Sequence, residues 1–240
     1  MVSQTPKVIM GGGSTVFYTV RFRLQKDGPL QYISHLDFVR TMQKMLVRCG
    51  LPLWYSQGFN PIPRFTFAAP LSVGTESDCE LMDVRLTEPL APAECAARLS
   101  SVFPPHLAVL DAYTPERKLN EIGYFAYDCH MAYDGVCKEH AEACMNALAA
   151  EHIPVEKKGK AGLHTVDIKP MIASFRFAYD EAAGEIRGRL VLSAAPGAFL
   201  GTETLIAALR RDTPVLPEGQ LCDYGFRRCE VYAPDLTLFR

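Results

Sequence analysis

From Val16 the chain alternates. Val16, Tyr18, Val20, Phe22 and Leu24 fall on one side of an extended strand, and Thr19, Arg21 and Arg23 on the other. Asp27-Gly28-Pro29 breaks that period of two, and a period of 3.6 takes over. Ser34 with Asp37 three residues later fits a capping box. Leu36, Val39, Met42, Leu46 and Cys49 form the buried stripe of a helix, and Gly50 supplies a left-handed stop. A half-buried strand followed at once by an amphipathic helix has to bury one apolar face against the other, which opens an α+β unit.

The rest of the chain extends this pattern. Leu51 to Tyr55 reads as a short second strand, and Phe65 to Ala68 and Glu80 to Leu86 as further strands with a turn near Gly74. Pro92 suits the first turn of a second helix running to about Ser101, and Leu107 to Ala112 supplies another strand. This order is the split βαβ arrangement of a ferredoxin-like domain. The second half repeats it more loosely: a strand over Gly123 to Met131, a helix with Cys137, Ala141, Cys144, Met145 and Leu148 on its core face, and strands around Val166, at Ser174 to Ala178 and at Glu185 to Leu192. A helix capped by Thr202 runs through Arg211, and Tyr224 to Tyr232 closes as a strand. The expected architecture is α+β, two tandem ferredoxin-like (split βαβ) domains with antiparallel sheets. They span residues 15–116 and 117–240, behind a flexible leader over residues 1–14 that ends in Gly11-Gly12-Gly13. Those glycines are no phosphate loop, because no Gly-Lys-Ser/Thr and no helix follow them.

Composition sets limits on function. Twenty-five basic residues stand against 27 acidic ones, so an anionic partner has to be met by a local patch and not by the molecule as a whole. No apolar run has the length of a membrane span and no signal-peptide core is visible, so a cytoplasmic protein without a membrane partner is expected. The eight cysteines show neither zinc-knuckle nor iron–sulfur spacing and are expected as reduced, small core residues. No metal site and no cofactor is expected.

Two segments carry a local cationic signal. Arg40, Lys44 and Arg48 follow one another at i, i+4 on the first helix, where like charges repel and phosphate would relieve them. The same residues also fit a solvated helix face. Glu156-Lys157-Lys158-Gly159-Lys160 is a compact basic turn suited to phosphate, and equally to a solvated hairpin tip. Asp167 and Lys169, on one face of the strand after it, fit an ion pair as readily as a site.

Between the first helix and the next strand lies Ser56 to Arg64. Gly58 permits a turn closed to other residues, while Pro61 and Pro63 stiffen the chain. Gln57 and Asn60 offer donors and acceptors and Phe59 offers a flat face, a combination suited to a base or another planar ligand. The alternative is a tight connection in which Phe59 plugs the core. Glu76 and Glu80 stand where a loop enters a strand, as acceptors for a ligand or partners of Arg64 or Arg85. His35 is the candidate for acid–base chemistry, although no second histidine or carboxylate is tied to it by local spacing.

Tyr32-Ile33-Ser34-His35-Leu36-Asp37, Gln57-Gly58-Phe59-Asn60-Pro61, Pro70-Leu71-Ser72-Val73-Gly74 and Lys157-Lys158-Gly159-Lys160…Asp167-Ile168-Lys169-Pro170 resemble the radical SAM-linked family catalogued as domain of unknown function 2344. The resemblance covers about Tyr18 to Tyr232. Ile62 stands where a histidine is expected and Arg64 where lysine is common, which speaks against an enzyme built on that loop. The resemblance implies a partner more than a reaction, namely a cobalamin-binding radical SAM protein to which this chain is the stand-alone accessory part. The expectation is therefore a non-enzymatic accessory protein binding structured RNA. Arg40, Lys44, Arg48, Arg64, Lys157, Lys158 and Lys160 would meet phosphates, and Gln57, Phe59 and Asn60 a base. The alternatives are a module that docks on the radical SAM protein without touching RNA, and a ribonuclease using His35.

Overall fold

The computed structural model describes residues 17–159 and 162–240. The leader expected over residues 1–14 and Lys160 lie outside the described residues, as do the side chains of Lys157 and Lys158. Helices and antiparallel strands together form two compact units, one ending at Leu119 and including Arg240, the other Asn120–Phe239.

In the first unit, β1 (Tyr18–Lys26), α1 (His35–Arg48), β2 (Phe65–Phe67), β3 (Thr75–Leu86), α2 (Pro92–Ser100) and β4 (Leu107–Tyr113) follow in that order. β3 is flanked by β1 and β2, with Val84 opposite Val20 on one side and Phe65 on the other. β4 pairs with the other edge of β1, Ala112 opposite Phe22, so the strand order is β4-β1-β3-β2 with every pair antiparallel. Val20, Phe22 and Leu24 share a face with Met82, Val84 and Leu86. On it lie Phe38, Met42 and Leu46 of α1 and Cys95 and Leu99 of α2. The opposite face carries Arg21 across from Asp83, and Arg21 also donates to the Arg117 carbonyl oxygen at 2.9 Å, holding the Arg117 segment to this unit.

The stripe of α1 differs from expectation at its start: Leu36 is 57% exposed and Phe38 is buried in its place. Leu36 sits one turn before Arg40 and therefore shares the outward ridge of Arg40, Lys44 and Arg48. Ser34 caps the helix as expected, its Oγ accepting from Asp37 N at 3.1 Å. The expected strand from Leu51 to Tyr55 is reduced to bridges, Leu53 to Leu86 and Tyr55 to Pro63.

The second unit runs β5 (Tyr124–Tyr133), α3 (Lys138–Ala149), β6 (Pro154–Gly159), β7 (Gly162–Asp167), β8 (Ile172–Asp180), β9 (Glu185–Ser193), α4 (Thr202–Asp212) and β10 (Cys222–Tyr232). Its strands are ordered β10-β5-β9-β8, with Phe125 opposite Val231 and Leu192, while β6 and β7 form a separate ribbon. Ala141, Cys144 and Leu148 of α3 and Leu205, Ile206 and Leu209 of α4 are buried. Thr202 is not the cap of α4; Gly201 holds that position and Thr202 is itself buried. All eight cysteines are free thiols.

Candidate nucleic-acid interface

The loop from Ser56 to Ile62 is an excursion from the edge of the first unit's sheet. Leu53 bridges Leu86, and Phe65 pairs with Val84 two residues along β3; between those points the chain leaves the edge and returns. Its base is closed by the Tyr55–Pro63 bridge, by Ser56 N donating to Ile62 O at 2.9 Å, and by Ile62 N donating to Ser56 Oγ at 3.0 Å. At the tip, Gly58 has φ +130°, a conformation that L side chains rarely adopt. Gln57, Asn60 and Arg64 are exposed, and Phe59 is fully exposed at 105% of its reference area. The reading in which Phe59 plugs the core is therefore excluded. Full burial of such a ring is worth about 1.5–3 kcal/mol, which a stacked ligand would recover.

Arg64, at the loop's root, belongs to a cluster that the sequence did not announce. Trp54 N donates to Arg85 O at 2.9 Å, Arg85 N to Arg64 O at 3.0 Å, and Arg64 N to Trp54 O at 2.8 Å, a closed triangle of backbone bonds. Above it the Arg85 guanidinium lies 5.4 Å from the Trp54 ring centre and 4.4 Å from that of Phe17, and the Arg64 guanidinium lies 6.0 Å from Trp54. Phe17 and Trp54 are themselves stacked, centroids 5.3 Å apart. The only tryptophan of the chain, two residues before the loop, was the available signal.

Glu76 and Glu80 lie elsewhere. Glu76 accepts from Gly28 N at 2.9 Å, and Glu80 is buried opposite Leu24, on the side of the sheet covered by α1. Lys26 is buried on that same side, its Nζ 5.5 Å from the Phe38 ring centre. Burial removes Glu80 as an open acceptor for a ligand.

On α1 the ridge is accessible: Arg40, Lys44 and Arg48 are all exposed. Arg40 reaches Asp37 at 3.2 Å, whereas Lys44 and Arg48 form no ion pair among the described residues. The Asp37 carboxyl is held below its usual range, first by its hydrogen bond with Ser34 and then by Arg40. The ridge occupies the side of α1 turned from the sheet, and the loop springs from the strand segment beside β3. His35 is half-buried, its ring edge-on to Phe67 with centroids 5.8 Å apart, and Ser34 and Asp37 are occupied in the cap.

In the second unit, Lys157 is opposite His164 and Lys158 opposite Leu163 on the β6–β7 ribbon. Gly162 to Thr165 are exposed at four successive positions, so both faces of that strand meet solvent. Asp167 anchors the root. It accepts from Ile153 N at 2.9 Å and Lys169 N at 3.0 Å, and pairs with His152 at 2.8 Å. The His152 bond, with those two N–H donors, holds its carboxyl at a pKa of about 2. The expected Asp167–Lys169 side-chain pair does not form: the strand ends at Asp167, and Lys169 Nζ donates to Leu148 O and faces the Phe175 ring.

Among the described residues no group of three or more His, Cys, Asp or Glu side chains is placed to hold a metal ion, and no helix is long and apolar enough to cross a membrane. What these features define is an α+β protein with an exposed aromatic–amide loop and a cationic helix ridge. Residues 19–199 match the family described as "Uncharacterized protein conserved in bacteria (DUF2344)", and the chain belongs to that family. No curated protein matches it. Among solved structures, a chain of a Cbf5-Nop10-Gar1 complex is similar at TM-score 0.47 and 11% identity, over 88% of this chain and 48% of that one. This chain thus spans about half the length of that neighbour.

Proposed function

We propose that the protein is an RNA-binding accessory factor for a cobalamin-dependent radical SAM enzyme, built from two tandem ferredoxin-like domains. The strand orders β4-β1-β3-β2 and β10-β5-β9-β8, each interleaved with two helices, support that description of the domains. The radical SAM partner rests on the family resemblance carried by the loop and helix-start motifs. The observation that carries RNA binding is Phe59: a fully exposed ring on a hydrogen-bonded, proline-braced loop, between two exposed amide side chains. Folding alone gains nothing from that placement, whereas a base gains a stacking face and edge hydrogen bonds. Arg40, Lys44 and Arg48 would add sequence-independent affinity for phosphates, and so would Lys157, Lys158 and Lys160 of the ribbon segment.

The test is filter binding of ribosomal and transfer RNA by the purified chain over a series of salt concentrations. Affinity falls steeply with salt, and Arg40→Glu with Lys44→Glu abolishes it. Salt-independent or absent binding overturns the assignment. A second reading, docking on the radical SAM protein without RNA, is favoured by the exposed Tyr32, Leu36 and Val47 on or beside the ridge. It requires co-purification with that partner from nuclease-treated extract.

A further inference from the structure

The Trp54–Arg64–Arg85 cluster has the properties of an anion clamp. Both guanidiniums are exposed, and neither meets a carboxylate or donates a side-chain hydrogen bond among the described residues. Both are near one indole ring, so two like charges share a small surface without a counter-charge. The rings beneath them hold the guanidinium groups in place and leave N–H edges free for two-pronged binding to an oxyanion. The triangle of backbone bonds fixes the positions from which both side chains depart. Surface arginines usually find acidic partners or point freely into water; here they are pre-arranged and unneutralised.

The same hairpin carries the second half of the site. Trp54 and Arg64 are the two residues flanking the Tyr55–Pro63 closure, so the excursion bearing Phe59 springs directly from the clamp. A phosphate held by Arg64 and Arg85 would leave the adjoining nucleotide free to reach the exposed ring. We propose that Arg64 and Arg85, seated on Trp54, clamp a backbone phosphate of single-stranded RNA while Phe59 stacks a neighbouring base. This rests on the RNA-binding reading above and adds to it the strand state and the contact point. A paired base hides both its faces in the helix, and only an unpaired one offers a face to Phe59.

Trp54 is the sole tryptophan, so its emission reports on this site alone. The experiment titrates the full chain with a dye-labelled, mixed-sequence single-stranded oligoribonucleotide and with the duplex of the same sequence. It follows dye anisotropy and tryptophan emission together. The clamp requires that emission change saturably with the same midpoint as anisotropy, and that the single strand bind more tightly than the duplex. Arg85→Ala and Arg64→Ala each weaken binding about ten- to a hundredfold, and each lowers the salt slope by about 0.7 per lost phosphate contact. Arg85→Lys retains charge but not the fork, and recovers only part of the loss. Thermal melting of each variant confirms folding, and the exposed Arg64→Ala serves if Arg85→Ala does not fold. If anisotropy reports binding while Trp54 emission and the arginine variants stay as wild type, the clamp is wrong and the RNA reading stands. If anisotropy reports no binding to either oligonucleotide, both fall.

Discussion

Arg21 and Asp83 stand directly opposite each other on β1 and β3 and close a two-pronged ion pair, Nε to Oδ1 at 2.6 Å and NH2 to Oδ2 at 2.9 Å. The arginine is fully buried while the aspartate keeps about a fifth of its surface, so the pair neutralises a charge that water cannot reach. Asp83→Ala strands that charge and lowers stability by about 3–5 kcal/mol. The double variant Arg21→Met, Asp83→Leu loses less than the single one. Urea unfolding of the full chain measures both, and equal losses would contradict the account.

The root of the β6–β7 ribbon gives a pH signature. Asp167 titrates at about 2 in the folded protein, against 3.8 for the ordinary side chain. Its folded value is depressed, so its contribution is complete above the unfolded pKa and is lost as pH falls through the folded one. Asp167→Asn melts at a lower temperature than wild type near neutrality, and the gap narrows between pH 3.8 and about 2. A gap that widened on acidification would contradict the hydrogen-bond account.

The thiols divide by burial. Desolvation pushes Cys129 and Cys144 to about 12 and Cys95 to about 11, which leaves almost no thiolate at pH 8. Cys137 and Cys222 are only half-buried. Alkylation of the native protein with iodoacetamide, read by peptide mass spectrometry, labels Cys137 and Cys222 first and leaves Cys95, Cys129 and Cys144 unmodified until the chain unfolds.

Phe59→Ala separates function from folding. With its ring wholly in solvent, its loss changes stability by less than about 0.5 kcal/mol. Base stacking is worth about 1–3 kcal/mol, so RNA affinity falls by roughly five- to 150-fold. A destabilised variant with unchanged affinity would reverse the roles assigned to this ring.

Local patterns read from sequence held wherever one period governed a segment. The alternation from Tyr18 to Leu24, the Ser34 cap, the Gly50 stop and the Pro92 helix start lie where expected, while Val16 falls outside the described residues. Reading failed where two patterns competed. Leu36 has the residue type of the core stripe, but its i, i+4 successor is Arg40 of the solvent ridge, and one helix face cannot be both. Thr202 has the residue type of a cap, but the adjacent Gly201 adopts the extended backbone that the position needs. Of the candidate interface, the loop and ridge were legible because their residues are consecutive or regularly spaced. The Trp54–Arg64–Arg85 cluster was not, because sheet pairing brings Arg85 beside residues twenty or more positions earlier, and no local period encodes that.

The detour that displays Phe59 has a second effect. By breaking the outer strand after Trp54, it leaves that strand itself only the three residues Phe65–Phe67 in regular pairing with β3. So short a stretch offers a foreign strand little to zip onto, and the kinked, proline-bearing bulge beside it obstructs any extension. Trimming the protrusion to a tight turn would lengthen that outer strand and the row of unpaired backbone groups it presents.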